Sequence, residues 1–290
     1  MNYLRLLDAA IGHLEDLKSQ GKTYLNIAPE TLLALQQPIR VKVQVASWEI
    51  KAEEPLTTAT LTQQREKTLA ARPQTQPDSP HNGSRKKTAI AELMERAAVC
   101  LKCPNLASSR KNVVFGMGDI ESPLMFVGEA PGADEDAQGE PFVGKAGELL
   151  TRIIKTMGFD RNSVYIANVL KCRPDTPGQT AGNRKPTTDE MKTCLPYLLE
   201  QIDLIKPRVI VALGATAVEG LFGKPMPITK LRGNWQTFRN TPVMPTFHPA
   251  YLLRNQALSE KRKVWEDMLQ VLEKLGAPIS EKQKGFFQQS

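Results

Sequence analysis

Between residues 123 and 136 an apolar stretch of strand length, Leu124-Met125-Phe126-Val127, breaks into Gly128-Glu129-Ala130-Pro131-Gly132-Ala133-Asp134-Glu135-Asp136. Four carboxylates directly after a buried strand are a chemical signal. Open α/β sheets hold their ligands in the crevice beyond the carboxyl ends of the strands. Loops carried by such a scaffold expose reactive groups without losing their geometry. Glu129 and Glu135 are the two acids able to orient a water or to stabilise a developing cation, whereas Asp134 and Asp136 read as solvated. Phe142 follows in another glycine-containing loop and offers a flat apolar face. Asn168 closes a second apolar run and carries an amide donor and an acceptor on one side chain. His248 is one of three histidines, and Pro249 restrains the loop behind it.

A second constellation is made of sulfur. Cys100 and Cys103 form a Cys-x-x-Cys pair after a helical stretch, and Cys172 and Cys194 flank a loop further on. These are all four cysteines of the chain. In a reducing compartment they are expected to be metal ligands rather than disulfides. Four thiolates suit either zinc or an iron–sulfur cluster, in a structural rather than an open site. The spacing alone leaves that choice open.

The elements that must position these residues can be read from periodicity. Helices are expected near Thr88–Val99, Ala146–Met157, Thr188–Ile205, Ala215–Phe222 and Ser259–Leu275. Pro196 should kink the third of these or break it early. Strands are expected at Leu124–Val127, Ser163–Val169, Arg208–Leu213 and Val243–Phe247. Strands alternating with helices predict an α/β fold, a three-layer αβα sandwich around a mainly parallel four-stranded sheet. Leu4, Leu7, Ile11, Leu14 and Leu17 recur at helical spacing and predict a helical N-terminal appendage over residues 1–40. Residues 41–88 are poor in apolar side chains and read as a disordered linker. Residues 89–276 form the main folded domain, and residues 277–290 a flexible tail.

With 290 residues the chain can build one full core and an appendage. A net charge of +7 favours a polyanionic partner. Lys102, Arg110, Lys111, Lys230 and Arg232 are candidates for non-specific phosphate contacts. No apolar run reaches the roughly 18–20 residues of a bilayer span, and the first residues lack the order of a signal peptide. A cytosolic location is the default expectation.

Five ordered blocks carry a family resemblance: Gly-Glu-Ala-Pro-Gly at 128–132, Pro-Phe-Val-Gly-Lys-Ala-Gly at 141–147, Asn-Val-Leu-Lys-Cys-Arg-Pro at 168–174, Asn-Arg-Lys-Pro at 183–186 and His-Pro-Ala-Tyr-Leu-Leu-Arg at 248–254. Interleaved with the cysteines, they closely resemble the family 4, or iron–sulfur, uracil-DNA glycosylases over about residues 90–275. The resemblance implies hydrolysis of the N-glycosidic bond of uracil in single- or double-stranded DNA, by a monomer. It implies one [4Fe–4S] cluster on Cys100, Cys103, Cys172 and Cys194, with zinc as the alternative. Such an enzyme must rotate its base out of the stack. Phe142 would stack on uracil, and Asn168 would meet O4 and N3–H. His248 would donate to O2 as charge gathers on the leaving base. Glu129, Glu135 and Asn183 share the handling of water without rank, Glu135 lying near uracil C5, and the main chain at Ala130 and Gly132 can also hold that water. Leu252 and Leu253 are wedge candidates, one of them expected to anchor its helix instead, and Arg254 would reach phosphate. A longer segment between Cys172 and Cys194, with Thr176–Ala181 as the insertion, loosens the register of Asn183.

Two other readings compete. A related branch traps uracil-DNA covalently through a basic, histidine-containing loop, but residues 228–235 here hold no histidine. A non-catalytic iron–sulfur scaffold, docking a protein partner through the N-terminal appendage, would not need Phe142, Asn168 and His248 together.

Overall fold

The computed structural model describes residues 81–174 and 184–288. Asn183, the Thr176–Ala181 segment and the expected 1–40 appendage lie outside the described residues. So does the expected linker, except for its last residues. Those are helical: α1 spans His81–Ala98 and begins seven residues ahead of the expected start.

The chain continues through α2 (Pro104–Ser109), β1 (Met117–Gly118), β2 (Leu124–Gly128), α3 (Ala133–Gln138), α4 (Lys145–Thr156), β3 (Tyr165–Asn168) and α5 (Thr188–Ile205). Then come β4 (Val209–Leu213), α6 (Ala215–Phe222), α7 (Ile228–Leu231), β5 (Gln236–Phe238), β6 (Thr241–Thr246), α8 (Pro249–Arg254), α9 (Leu258–Leu275) and α10 (Glu281–Gly285). The strands order as β1-β3-β2-β4-β6-β5. The four inner strands are parallel, as their continuous apolar sequences require. Two short antiparallel strands, β1 and β5, widen the expected four-stranded sheet to six.

Side-chain alternation along β2 explains the layers. Leu124 and Phe126 face Leu150 and Ile154 of α4 and Trp265, Met268 and Leu272 of α9. Met125 and Val127 face Leu198 and Ile202 of α5 and Ala217 and Leu221 of α6. Every residue of β2 is buried, so the strand is a rod inside both cores.

Helix α5 starts on Thr187, whose hydroxyl accepts from Glu190 N while the Glu190 carboxylate accepts from Thr187 N. Pro196 lies inside this helix without ending it, so the expected early break does not occur. The C-terminal segment differs more. Residues 277–288 are not a loose tail. Ser280 caps α10 through Gln283, Trp265 Nε1 donates to Gln283 O at 2.5 Å, and Gln283 Nε2 donates to Thr156 O at 2.8 Å. Phe286 packs tilted against Trp265, with 5.6 Å between ring centroids. No helix among the described residues is long and apolar enough to cross a membrane.

Candidate active site and cysteine centre

The parallel strands β2, β3, β4 and β6 end side by side, and each contributes at its carboxyl end: Gly128, Asn168, Gly214 and His248 respectively. Gly128 pairs with Asn168 across the sheet. A Cβ on Gly128 would lie 2.4 Å from Asn168 Oδ1 and 2.5 Å from Phe142 Cζ, so only glycine lets the amide and the ring close over the strand end. Asn168 is 2% exposed, and its Oδ1 is the one buried side-chain oxygen or nitrogen among the described residues without a hydrogen-bond partner. An orphaned acceptor of this kind costs about 1–3 kcal/mol. Such an expense at a strand end marks a group kept for a ligand.

Phe142 is held hard. Its φ of +56° is unusual for a bulky residue. The backbone on either side is tied down to keep it there. Glu135 Oε1 accepts from Val143 N at 3.1 Å and Gly144 N at 3.2 Å. Arg161 donates to Pro141 O and, at 3.2 Å, to Thr151 Oγ1. A Cβ on Gly147 would sit 1.7 Å from Phe142 O, so the loop lies directly on the start of α4.

His248 caps α8, and its Nδ1 accepts from Ala250 N at 3.1 Å. That bond leaves Nε2 as the protonated nitrogen of a neutral ring. Burial, helped by Arg254, pushes the imidazole down to about 4. Its ring lies 5.7 Å from Phe142 at 30°. Stacking face, orphaned amide oxygen and neutral N–H donor therefore converge on one place.

The two acids separate. Glu135 spends its carboxylate on three main-chain donors, the third being Gly132 N at 3.0 Å from Oε2. With both oxygens engaged it is a loop clamp and is poorly placed as a base. Glu129 is half-buried; burial pushes its carboxyl up, against the lowering pull of the Thr216 hydroxyl and Lys185. Gly132 belongs to the clamp, and Ala130 packs against the cysteine corner.

Other expectations are corrected. Asp134 is exposed, but Asp136 is 3% exposed and accepts from Lys111 N and Asn112 N. Arg110 does not reach outward: it donates to Cys172 Sγ at 3.3 Å. Arg232 is bound to buried Asp267 at 2.5 Å, and Asp267 in turn accepts from Thr246 Oγ1 at 2.6 Å, bracing the strand before His248. Leu252 is 4% exposed within a core with Phe247 and Val264, so it anchors α8 and is no wedge. Leu253 is half-exposed and Arg254 exposed. Accordingly, Leu252→Ala should lower unfolding free energy by about 2–4 kcal/mol. Leu253→Ala should leave stability within about 0.5 kcal/mol but slow processing of duplex substrate more than single-stranded substrate. Chemical denaturation and gel-based cleavage measure the two.

All four cysteines lie in or against one small apolar cluster with Leu93, Leu106, Phe115 and Tyr197. Cys194 Sγ accepts from Lys171 N at 3.2 Å. Burial pushes Cys194 up to about 12, and it raises Cys103 and Cys172 too, with neighbouring thiolate charge adding to each. Such a set ionises together only around added positive charge. The donor chemistry therefore fits a thiolate-bound metal group. Among the described residues no three Cys, His, Asp or Glu form a group that would hold a single metal ion. The residues that periodicity could not flag are Arg161, Thr216, Lys171 and Gln201, all defined by partners distant in sequence.

Residues 115–269 match the uracil DNA glycosylase superfamily model. The type-4 uracil-DNA glycosylase of Thermotoga maritima is 48% identical over 180 residues, covering 61% of this chain and 89% of that protein. The type-4 uracil-DNA glycosylase of Sulfurisphaera tokodaii is 42% identical over 187 residues, covering 61% and 80%. That of Saccharolobus solfataricus is 41% identical over 198 residues, covering 65% and 88%. With its strand-end pocket and cysteine corner, the chain belongs to the uracil DNA glycosylase superfamily, on the type-4 branch.

Proposed function

We infer that this protein is a DNA-repair hydrolase that cleaves the N-glycosidic bond of uracil in DNA, releasing free uracil and leaving an abasic site. The observation that carries it is the orphaned Asn168 Oδ1, buried at the strand end that the Phe142 ring also covers, with the His248 ring 5.7 Å from that of Phe142. Uracil N3–H would satisfy that oxygen, and the amide N–H would meet O4. Cytosine presents an acceptor at N3 and a donor at N4, so a fixed amide rejects it. His248 Nε2–H would donate to O2 as the base departs with negative charge, where one aimed donor contributes about 3–4 kcal/mol. Glu129, whose carboxyl meets the Thr216 hydroxyl, would steady the cationic sugar or the attacking water. Leu253 would fill the gap left by the rotated base, with Arg254 toward the backbone.

The cysteine corner would hold one [4Fe–4S] cluster on Cys100, Cys103, Cys172 and Cys194. When bound, it supplies structural cross-linking between the turn joining α1 to α2, the loop after β3 and α5. Purified protein is expected to be brown, with the broad visible absorbance of thiolate–iron clusters and four irons per chain. Cys172→Ala should lose both. Stoichiometric zinc without colour would favour the zinc alternative.

The deciding assay incubates the protein with single- and double-stranded uracil-containing oligonucleotides, followed by alkali. Strand cleavage at uracil, absent for Asn168→Ala and His248→Ala, supports the function. No release by folded, cluster-loaded protein from either substrate would refute it.

A further inference from the structure

Lys171 is 1% exposed, and a fully buried lysine without a carboxylate in its bonding is rare. Its main chain belongs to the cysteine corner: Lys171 N donates to Cys194 Sγ, and Lys171 O accepts from Val114 N at 2.8 Å. Its side chain runs back toward the pocket. Nζ donates to Asn168 O at 2.9 Å and to Gln201 Oε1 at 2.6 Å. Gln201 is 0% exposed, and its Nε2 donates to Phe115 O and to Tyr165 OH, both at 3.0 Å. The lysine end is thus fixed from behind by a filled polar network.

The peptide it grips is an important one. Asn168 O and Val169 N belong to the same peptide unit, and Val169 N donates to Gly128 O at 3.0 Å. The next donor, Leu170 N, reaches Glu129 O at 3.1 Å. A donor on Asn168 O polarises that peptide and strengthens its N–H bond to Gly128. Asn168 Oδ1 lies over Gly128 itself. One amine therefore sets both the main chain of the base-reading asparagine and the loop facing it. Two acceptors need two N–H donors, which the amine has whether or not it carries its third proton.

We propose that Lys171 is a positioning residue for uracil recognition, which carries the order of the cysteine corner to Asn168 and the Gly128–Glu129 loop. The proposal rests on the reading of Asn168 as the base-reading residue and goes further by making its aim depend on a buried amine.

Two variants separate positioning from mere stability. Lys171→Met removes the donor to Asn168 O while keeping an unbranched side chain one atom shorter. Tyr165→Phe removes an acceptor of Gln201 Nε2 and so damages the same buried network, but leaves both acceptors of Lys171 in place. Each full-length, cluster-loaded variant is compared with wild type for thermal midpoint, visible absorbance per chain, free-uracil affinity and single-turnover excision well below its midpoint. Both should lose stability and keep the absorbance. Lys171→Met should slow single-turnover excision and weaken free-uracil binding by tenfold or more, with Tyr165→Phe within about threefold of wild type in both. Equal losses in the two variants, or a folded Lys171→Met at wild-type rate, would overturn the proposal. A Lys171→Met that does not fold while Tyr165→Phe does would also overturn it, by making the lysine a requirement of the fold. Absence of excision by wild type would instead refute the glycosylase function itself.

Discussion

Asn168→Ala is expected to lower kcat/KM for uracil excision by about 10³-fold, because a pocket built to pair with a polar edge loses that scale of discrimination when its partner goes. The stability outcome should run the other way from most buried substitutions. The wild-type chain carries Asn168 Oδ1 buried and unpaired, so the variant sheds a cost of about 1–3 kcal/mol while opening a small gap. Unfolding free energy should then stay within about 1 kcal/mol of wild type or rise. Single-turnover kinetics with chemical denaturation tests both halves. A variant that keeps more than a tenth of wild-type activity would remove Asn168 from the recognition step.

The second large effect concerns His248. Its N–H is worth most when charge reaches uracil O2, so His248→Ala should reduce kcat and kcat/KM alike, by about 10²–10³-fold. Because burial holds the imidazole down at about 4, the wild-type rate should not fall between about pH 5.5 and 8 through this group. An imidazolium mechanism would instead lose rate as pH rises through about 6.5. Stability has its own sign. The folded pKa lies below the unfolded value, so the unfolded chain takes up the proton first as the pH drops. The stabilising contribution is present in full above about 6.5 and is lost progressively down to about 4. It amounts to on the order of 2 kcal/mol, less than the full shift implies because His248 is not fully buried. Urea titrations of wild type and His248→Ala at pH 7.5 and 4.5 should converge at the lower pH.

Much of the frame was readable because its signals are local. β2 and β4 are unbroken apolar runs between turn residues, and Thr187 with Glu190 marks the start of α5 in four letters. The docked C-terminal segment was misread as a flexible tail, although Ser280 and Gln283 form a capping box and Phe286 follows three residues later. β1 and β5 were not legible, being two and three residues long with no period to detect. The blocks around Gly128, Phe142, Asn168 and His248 pointed to the pocket. Which acid does what could not be read there, because Glu129 and Glu135 have the same side chain and sit in the same loop. Only the fold shows Glu135 surrounded by Gly132, Val143 and Gly144 amides and Glu129 turned toward Thr216. Asp136, Arg110 and Arg232 misled for the same reason: a charged residue looks solvated until its distant partner is known.

The pocket takes one residue or loop from the end of each inner parallel strand, and its stacking ring from the connection after the first. No two neighbouring segments of the chain can make a rudimentary version of it. Parallel strands pair only after long crossovers have closed, a slow and non-local event. Catalytic competence should therefore arrive in one step, late, when β6 docks beside β4 and brings His248 to Phe142. A newly made or thermally damaged molecule would then be silent toward DNA rather than inaccurate, a useful property in an enzyme whose mistakes would be abasic sites in the genome.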